Sequence, residues 1–330
     1  MKQESSATAA SAVTAVGLAL GAVGVLAFSM SLPATRVAVQ QLDPWFVAFG
    51  RAVVAAALAA AYLGATRAPR PTGAQWRRLA VVAVGVVVGF PLFTSLALTS
   101  ETSAHGAVVI TVLPVMTAVF AVLRAGERPS PVFWLASTGG LIAVLAFLTA
   151  AGAVRGMVTA ADLYLLLAVA LCGLGYAEGG ALARELGGAR TISWALLLSL
   201  PFTVPATLLS AVADPPRADL LGWSAFGYLA AVSMFLGFFA WYAGLARGGI
   251  ARVGQIQLAQ PVLTLTWSAL LLGERVTPAA VLAALAVLAC VALTQRTRMP
   301  RTPPRLSDVR SSDARLSDAR SSDSRGVVKR

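Results

Sequence analysis

The sequence predicts an all-α membrane protein with ten transmembrane helices, arranged as two inverted five-helix repeats. Three observations predict this fold class. The chain of 330 residues is 58% hydrophobic and 12% charged, about half the charge of an ordinary soluble domain. Ten apolar stretches approach or exceed the length of about 20 residues that spans a bilayer. One fixed offset relates the two halves of the sequence. Because backbone polar groups must pair internally in lipid, we expect helices.

The ten apolar stretches define the predicted helices. The first follows a short polar start and exceeds the apolar region of a cleavable signal peptide, so we expect it to be retained. In order, the stretches are 12–32, 45–65, 79–98, 104–123, 132–151, 161–182, 191–213, 223–246, 250–272 and 278–294. Several links between them are short, which predicts antiparallel neighbours.

The basic residues predict the orientation. With the N-terminus in the cytoplasm, 21 Lys and Arg residues fall on the cytoplasmic side, while only Arg36, Arg155, Arg217 and Arg275 fall in outer loops. Cytoplasmic loops are enriched in basic residues, so both termini are predicted to be cytoplasmic. The formal net charge of +12 is therefore explained by basic residues that set the orientation of the helices in the membrane. A nucleic-acid partner is not expected, because such a partner would need these charges clustered on one folded face.

An internal repeat relates the halves at an offset of 147 residues. Segments 114–131 and 261–278 both follow the pattern P-V-x-T-x5-L-x2-G-E-R-x2-P, and the same offset pairs Trp76 with Trp223. Each half holds five predicted spans, an odd number, so the second copy should enter the membrane in the opposite orientation. Inverted repeats of this kind are typical of secondary transporters.

The doubled motif, the helix count and segment 28–51 (FSMSLPATRVAVQQLDPWFVAFGR) together resemble the EamA family of the drug/metabolite transporter superfamily. The resemblance covers about residues 12–295. It implies a first repeat at 1–152, a second repeat at 157–298, and a location in the cell membrane. Residues 299–330 repeat the unit Ser-Asp-x-Arg, and we expect a disordered basic cytoplasmic tail.

The resemblance also implies a function. We expect a secondary transporter that exports small metabolites, amino-acid-like or amphipathic solutes by alternating access, driven by a proton gradient or by exchange. A lipid-carrier flippase on the same fold and a non-transporting membrane scaffold stay open as alternatives. With one histidine and two cysteines, we expect no catalytic residues, metal or cofactor. The expected partners are a small-molecule substrate and membrane lipid, and a homodimer is left open.

Two prolines predict the centre of the transport path. Pro114 and Pro261 occupy matching positions near the middle of the fourth and ninth predicted helices. A proline inside a helix removes one backbone hydrogen bond, and paired interruptions mark the central sites of transporters. A simple packing kink is the alternative interpretation.

A polar stripe surrounds Pro261, while its counterpart in the first half is more apolar. Residues three and four positions apart share a helix face, and polar groups on such a face must avoid lipid. We predict a cavity wall, with interhelical hydrogen bonding as the alternative. The predicted residues are Gln257, Gln260, Thr264, Trp267, Thr117 and Phe120.

Two charges fall within predicted spans. Arg51 is placed about 9 Å from the outer edge and Glu178 about as far from the inner edge, at 1.5 Å per residue, so we expect no direct pairing between them. Intramembrane charges default to functional hypotheses, although both side chains could reach the nearer interface. The predicted coupling or gating residues are Glu178, Arg51 and Tyr176.

Smaller motifs predict structural roles. The two Gly-Glu-Arg turns, which contain Glu127 and Glu274, are expected to bind helix ends. Glycines spaced by four, at Gly17 and Gly21 and at Gly85 and Gly89, predict close helix packing.

Overall fold

The computed structural model describes residues 2–150 and 159–272. Every regular element in these two ranges is helical, which confirms the all-α class. The first range forms α1 (Lys2–Ser29), α2 (Ser31–Val39), α3 (Pro44–Ala65), α4 (Gly73–Val82), a π-helical segment π1 (Ala83–Gly89), α5 (Phe90–Ser100), α6 (Ser103–Ile110), α7 (Leu113–Ala125) and α8 (Pro131–Ala150).

The second range repeats this succession of elements. It forms α9 (Ala160–Leu186), α10 (Gly188–Ala213), α11 (Leu220–Tyr228), a π-helical segment π2 (Leu229–Leu236), α12 (Gly237–Gly248), α13 (Ile250–Gly254), a 3₁₀ segment (Gln255–Ala259) and α14 (Gln260–Leu272). The predicted span 278–294 and the predicted tail 299–330 lie outside the described residues.

Six helical runs among the described residues are long and apolar enough to cross a membrane. They are Ala12–Val39, Pro44–Ala65, Gly73–Ser100, Ala160–Leu186, Gly188–Ala213 and Leu220–Gly248. Many large apolar side chains point outward, among them Leu209 and Val212. In water such side chains would be costly, whereas a lipid surround accepts them.

The first helix differs from the prediction. After α1 ends, the chain continues as α2 through Arg36, which was predicted to lie in an outer loop. The Arg36 guanidinium donates to the backbone carbonyls of Leu98, at 2.5 Å, and of Thr99, at 2.9 Å. These carbonyls lie in the last turn of α5, where the helix itself offers no partners. The α2 segment therefore caps α5 from a distance of about 60 residues in the sequence.

The irregular segments follow the same offset as the sequence repeat. A shift of 147 residues carries Ala83–Gly89 onto residues 230–236, which lie within π2. The helix break before Pro114 falls between α6 and α7, and the 3₁₀ segment occupies the corresponding place before Pro261. Departures from α-helical geometry often occur at functional sites. Here they occur twice, at equivalent places in the two repeats.

Glycines allow two pairs of helices to approach closely. A Cβ atom on Gly17 would lie 2.5 Å from the backbone nitrogen of Gly248. One on Gly85 would lie 2.6 Å from the carbonyl oxygen of Leu171. The predicted packing role of these glycines is therefore confirmed, with α1 against α12 and π1 against α9.

Candidate functional site

A central cavity lies where segments of both repeats meet. In this conformation the cavity is narrow, with a volume of about 30 Å³, room for about one water molecule. All of its lining residues except Phe90 are buried. The lining consists of Phe28, Ser31, Leu32, Arg51, Val86, Phe90, Pro91, Leu113, Cys172, Tyr176, Ser233, Met234, Phe238, Gln257 and Gln260.

The cavity is shared by equivalent positions of the two repeats. Three pairs of lining residues are each 147 positions apart: Val86 and Ser233, Pro91 and Phe238, Leu113 and Gln260. The first pair lies in the two π-helical segments, and the second pair lies just after them. A π-helical turn shifts the direction of the side chains that follow it. The irregular segments therefore direct matching residues into one space at the repeat interface.

One wall of the cavity is aromatic. The ring centroids of Phe28 and Phe238 are 5.0 Å apart, and that of Tyr176 lies 6.4 Å from Phe28 and 6.0 Å from Phe238. Trp241 is fully buried next to these rings, 5.2 Å from Tyr176. Such ring packing holds the wall in place and offers an apolar surface to a solute.

Another part of the lining, next to Tyr176, is polar. Gln257 Nε2 lies 3.4 Å from both the Tyr176 hydroxyl and Gln260 Oε1, while its own Oε1 has no hydrogen-bond partner. The hydroxyls of Ser31 and Ser233 pair with each other at 2.7 Å. Buried polar atoms normally have partners, so Gln257 Oε1, which lacks one among the described residues, is an acceptor that a ligand or water would satisfy.

Arg51 lies on the cavity. The side chain comes from α3, is buried, and its Nε has no hydrogen-bond partner. Glu178 does not line the cavity, so the expected lack of pairing between these two charges agrees with the structure. Tyr176 lines the cavity beside Gln257.

Other predicted cavity residues lie elsewhere. The Thr264 hydroxyl donates to the Ser29 carbonyl and Trp267 Nε1 donates to the Ser29 hydroxyl, both at 2.8 Å. These two side chains thus join α14 to α1, as in the alternative interpretation of interhelical hydrogen bonding. Thr117 is buried, and its hydroxyl donates to Leu113 in its own helix. Phe120 is half-buried and does not line the cavity.

The two prolines mark the cavity indirectly. Pro114 and Pro261 begin new helical segments instead of kinking one continuous helix. Neither lines the cavity, but the residue just before each, Leu113 or Gln260, does. Each proline is therefore the sequence neighbour of a residue that lines the cavity.

An ionic cluster surrounds Glu178 at the end of α9. Its carboxylate accepts from Arg78 of α4 and from Arg124 of α7, the latter at 3.0 Å. Arg78 also pairs with the more exposed Glu185 at 2.5 Å. Three helices from both repeats are therefore joined by charge at the side that the basic residues predict to be cytoplasmic.

The first Gly-Glu-Arg turn extends this cluster. Glu127 accepts from the backbone nitrogens of Ile250 and Ala251, both at 2.8 Å, and from Arg184 at 2.7 Å. A carboxylate at the start of a helix pairs with nitrogens that otherwise lack partners. The expected helix-end binding is thus confirmed for Glu127, while Glu274 lies outside the described residues.

Sequence reasoning missed several cavity residues. Phe28, Ser31, Cys172, Ser233 and Phe238 all line the space but look like ordinary members of apolar helices. For Ser233 the sequence offered one signal, the repeat offset, which pairs it with Val86. In the structure both residues line the cavity.

Repeated membrane helices, interrupted at equivalent positions around a shared buried cavity, define the class of multi-pass membrane transporters. The EamA-like transporter family matches residues 15–149 and again 159–296. The chain belongs to this family, whose members are transporters and not enzymes, and it is a multi-pass protein of the cell membrane.

Relatives agree with this assignment. The chain is 48% identical over 279 residues to the uncharacterized transporter YdeK of Bacillus subtilis (strain 168), covering 84% of this chain and 96% of that protein. A protein of known crystal structure shares the fold with a TM-score of 0.67 at 20% identity, over 85% of this chain and 98% of the other. Within the described residues, no group of His, Cys, Asp and Glu could hold a metal ion.

Proposed function

We propose that the protein is a secondary transporter that exports small metabolites, amino-acid-like or amphipathic solutes by alternating access to the central cavity. Ten transmembrane helices in two inverted repeats, with both termini cytoplasmic, form the proposed topology. The observation that carries the proposal is the lining of one buried cavity by equivalent residues of both repeats. A site on a repeat interface can face either side of the membrane as the repeats rock against each other.

The shape of the cavity favours a small solute over a lipid carrier. Nearly all of its lining residues are buried, and the exposed apolar side chains of the lipid-facing surface do not contribute to it. A flippase would need a lateral opening for an acyl chain. Export, with a proton gradient or exchange as the driving force, is the direction that the family resemblance implies. Glu178 was predicted to act either in coupling or in gating. Its ion pairs with Arg78 and Arg124 join neighbouring helices, which favours a role in gating.

Transport in proteoliposomes tests the proposed function. We expect the purified protein to exchange at least one radiolabelled solute from a panel of amino acids, organic acids, amines, nucleosides and sugars, measured as counterflow with and without an imposed pH gradient. Ser233→Phe should abolish this exchange because the ring fills the cavity. Ser224→Phe is the matched control, since Ser224 lies exposed on α11. Transport of a labelled lipid but of no solute would refute the proposal.

Cysteine labelling tests the inverted topology. Ala74 and Leu221 are exposed, lie 147 positions apart and occupy the first turns of the equivalent helices α4 and α11. In a background carrying C172A and C290A, we expect an impermeant maleimide added to intact cells to label Leu221→Cys but not Ala74→Cys. The pattern should reverse in inside-out vesicles. Labelling of both positions from one side would contradict an inverted repeat.

A further inference from the structure

We propose that Arg51 binds the carboxylate of the transported solute, so that the substrates are small organic acids with an apolar body and a hydrogen-bond donor. This inference rests on the proposed transport function and adds a substrate class to it. It is carried by the position of Arg51 on the cavity, by its lack of an ion pair among the described residues, and by the unpaired Gln257 acceptor on a residue that lines the same cavity.

Arg51 is a buried cation that has no ion-pair partner within 2–150 and 159–272, the part of the chain that the structure describes. Its side chain is 2% exposed and Nε has no hydrogen-bond partner. None of the residues that line the cavity is acidic. An arginine in the middle of a membrane protein is costly unless it pairs or faces water. Such a residue is retained at a cost to stability, which points to a function that needs the charge.

Three buried or half-buried carboxylates of the described ranges are engaged elsewhere. Glu178 pairs with Arg78 and Arg124, and Glu127 pairs with Arg184. Asp43, the N-cap of the helix that carries Arg51, accepts from the backbone nitrogens of Trp45 and Phe46. The partner that the cavity lacks is therefore an anion, and a solute that enters the cavity can supply it.

The other lining residues indicate which further groups the solute carries. Gln257 Oε1 is an acceptor without a partner and suits an ammonium or hydroxyl group. The rings of Phe28, Tyr176 and Phe238 suit an apolar side chain. A guanidinium binds a carboxylate through two parallel hydrogen bonds. A phosphate monoester carries a charge of about −1.5 to −2 near neutral pH, which a single arginine does not balance.

Thermal stability separates a binding role from a structural one. We expect Arg51→Met to melt at a higher temperature than the wild type in detergent, because it removes an unpaired buried charge while keeping the volume. Arg36→Met is the control for a partnered arginine and should melt lower, since Arg36 caps α5. A lower melting temperature for Arg51→Met would show that the guanidinium is structural and would overturn the proposal.

Transport then tests the substrate class. In proteoliposomes we compare L-phenylalanine, L-leucine and 3-phenylpropionate with the corresponding primary amides, with phenylphosphate and with phenethylamine. We expect the wild type to move a carboxylate at least about tenfold faster than its amide, Arg51→Met to lose this uptake by a similar factor, and Arg51→Lys to keep part of it.

The outcomes distinguish this inference from the function on which it rests. Uptake of an amide, the amine or phenylphosphate in preference to the carboxylates would overturn the assignment of Arg51 and leave the transporter intact. Unchanged carboxylate uptake by Arg51→Met would have the same meaning. A wild-type protein that moves no solute in this set or in the broader panel would contradict the proposed function itself.

Discussion

Replacing Glu178 with Gln should open the cavity toward the side that the basic residues predict to be cytoplasmic. The neutral side chain keeps its size but no longer holds Arg78 and Arg124 against α9, so the contacts that join α4, α7 and α9 weaken. Glu178 is buried, while both arginines are partly exposed. A buried pair broken on one side costs about 3–5 kcal/mol, whereas exposed pairs are worth at most about 1 kcal/mol. We therefore expect the free-energy difference between the closed and the open state to change by about 2 kcal/mol, which raises the population of the open state roughly 30-fold.

Cys172 reports this opening. It lines the cavity and lies six residues before Glu178 on α9, about 9 Å along the axis. With C290S as the background, the rate at which an impermeant maleimide modifies Cys172 in inside-out vesicles should rise at least tenfold in Glu178→Gln, by the same population argument.

The matched control is Glu185→Gln. Glu185 lies on the same helix and pairs with the same Arg78, but its side chain is 46% exposed. Solvent screening makes such pairs weak, so we expect little change in Cys172 labelling. Equal labelling rates for Glu178→Gln and Glu185→Gln would show that the ionic cluster does not control access to the cavity.

Replacing Gly244 with Ala should separate α1 from α12. The added Cβ atom would lie 2.7 Å from the backbone nitrogen of Gly21 and 2.8 Å from the carbonyl oxygen of Gly17. Both are backbone atoms, so the whole helix must shift. Overpacking of this kind costs about 1–3 kcal/mol. We expect a lower melting temperature in detergent, and reduced transport, because the same two helices supply Phe28 and Phe238 to the cavity.

Gly227→Ala is the control for the glycine prediction. Gly227 lies in α11, and a Cβ atom there would meet nothing within 4 Å. Alanine favours a helix over glycine by about 1 kcal/mol, so this variant should be as stable as the wild type or more stable. If both variants lowered the melting temperature equally, the effect would not come from the contact between α1 and α12.

The sequence by itself determined the helical class, the repeat and the family. Hydropathy is a local property, and a bilayer requires every spanning segment to satisfy its own backbone, so the long apolar runs predict helices without any knowledge of their packing. The repeat is equally visible, because seven of the fifteen residues of Pro114–Arg128 recur unchanged at the offset of 147. The two helix breaks were predictable as well, since a proline interrupts its own helix wherever it packs.

Only the tertiary structure decided which polar residues face the cavity. Gln260 and Thr264 share one helix face, yet Gln260 lines the cavity whereas Thr264 bonds to Ser29 of α1. Helical periodicity shows that such a face must avoid lipid, but it does not show whether protein or open space covers each position. Arg51 and Glu178 also differ in a way that the sequence does not show: Glu178 has ion-pair partners and Arg51 has none among the described residues. The partners of Glu178 come from helices at least 54 residues away in the sequence. A side chain's partner is set by how the helices pack together, and a pattern along one helix carries no information about its neighbours.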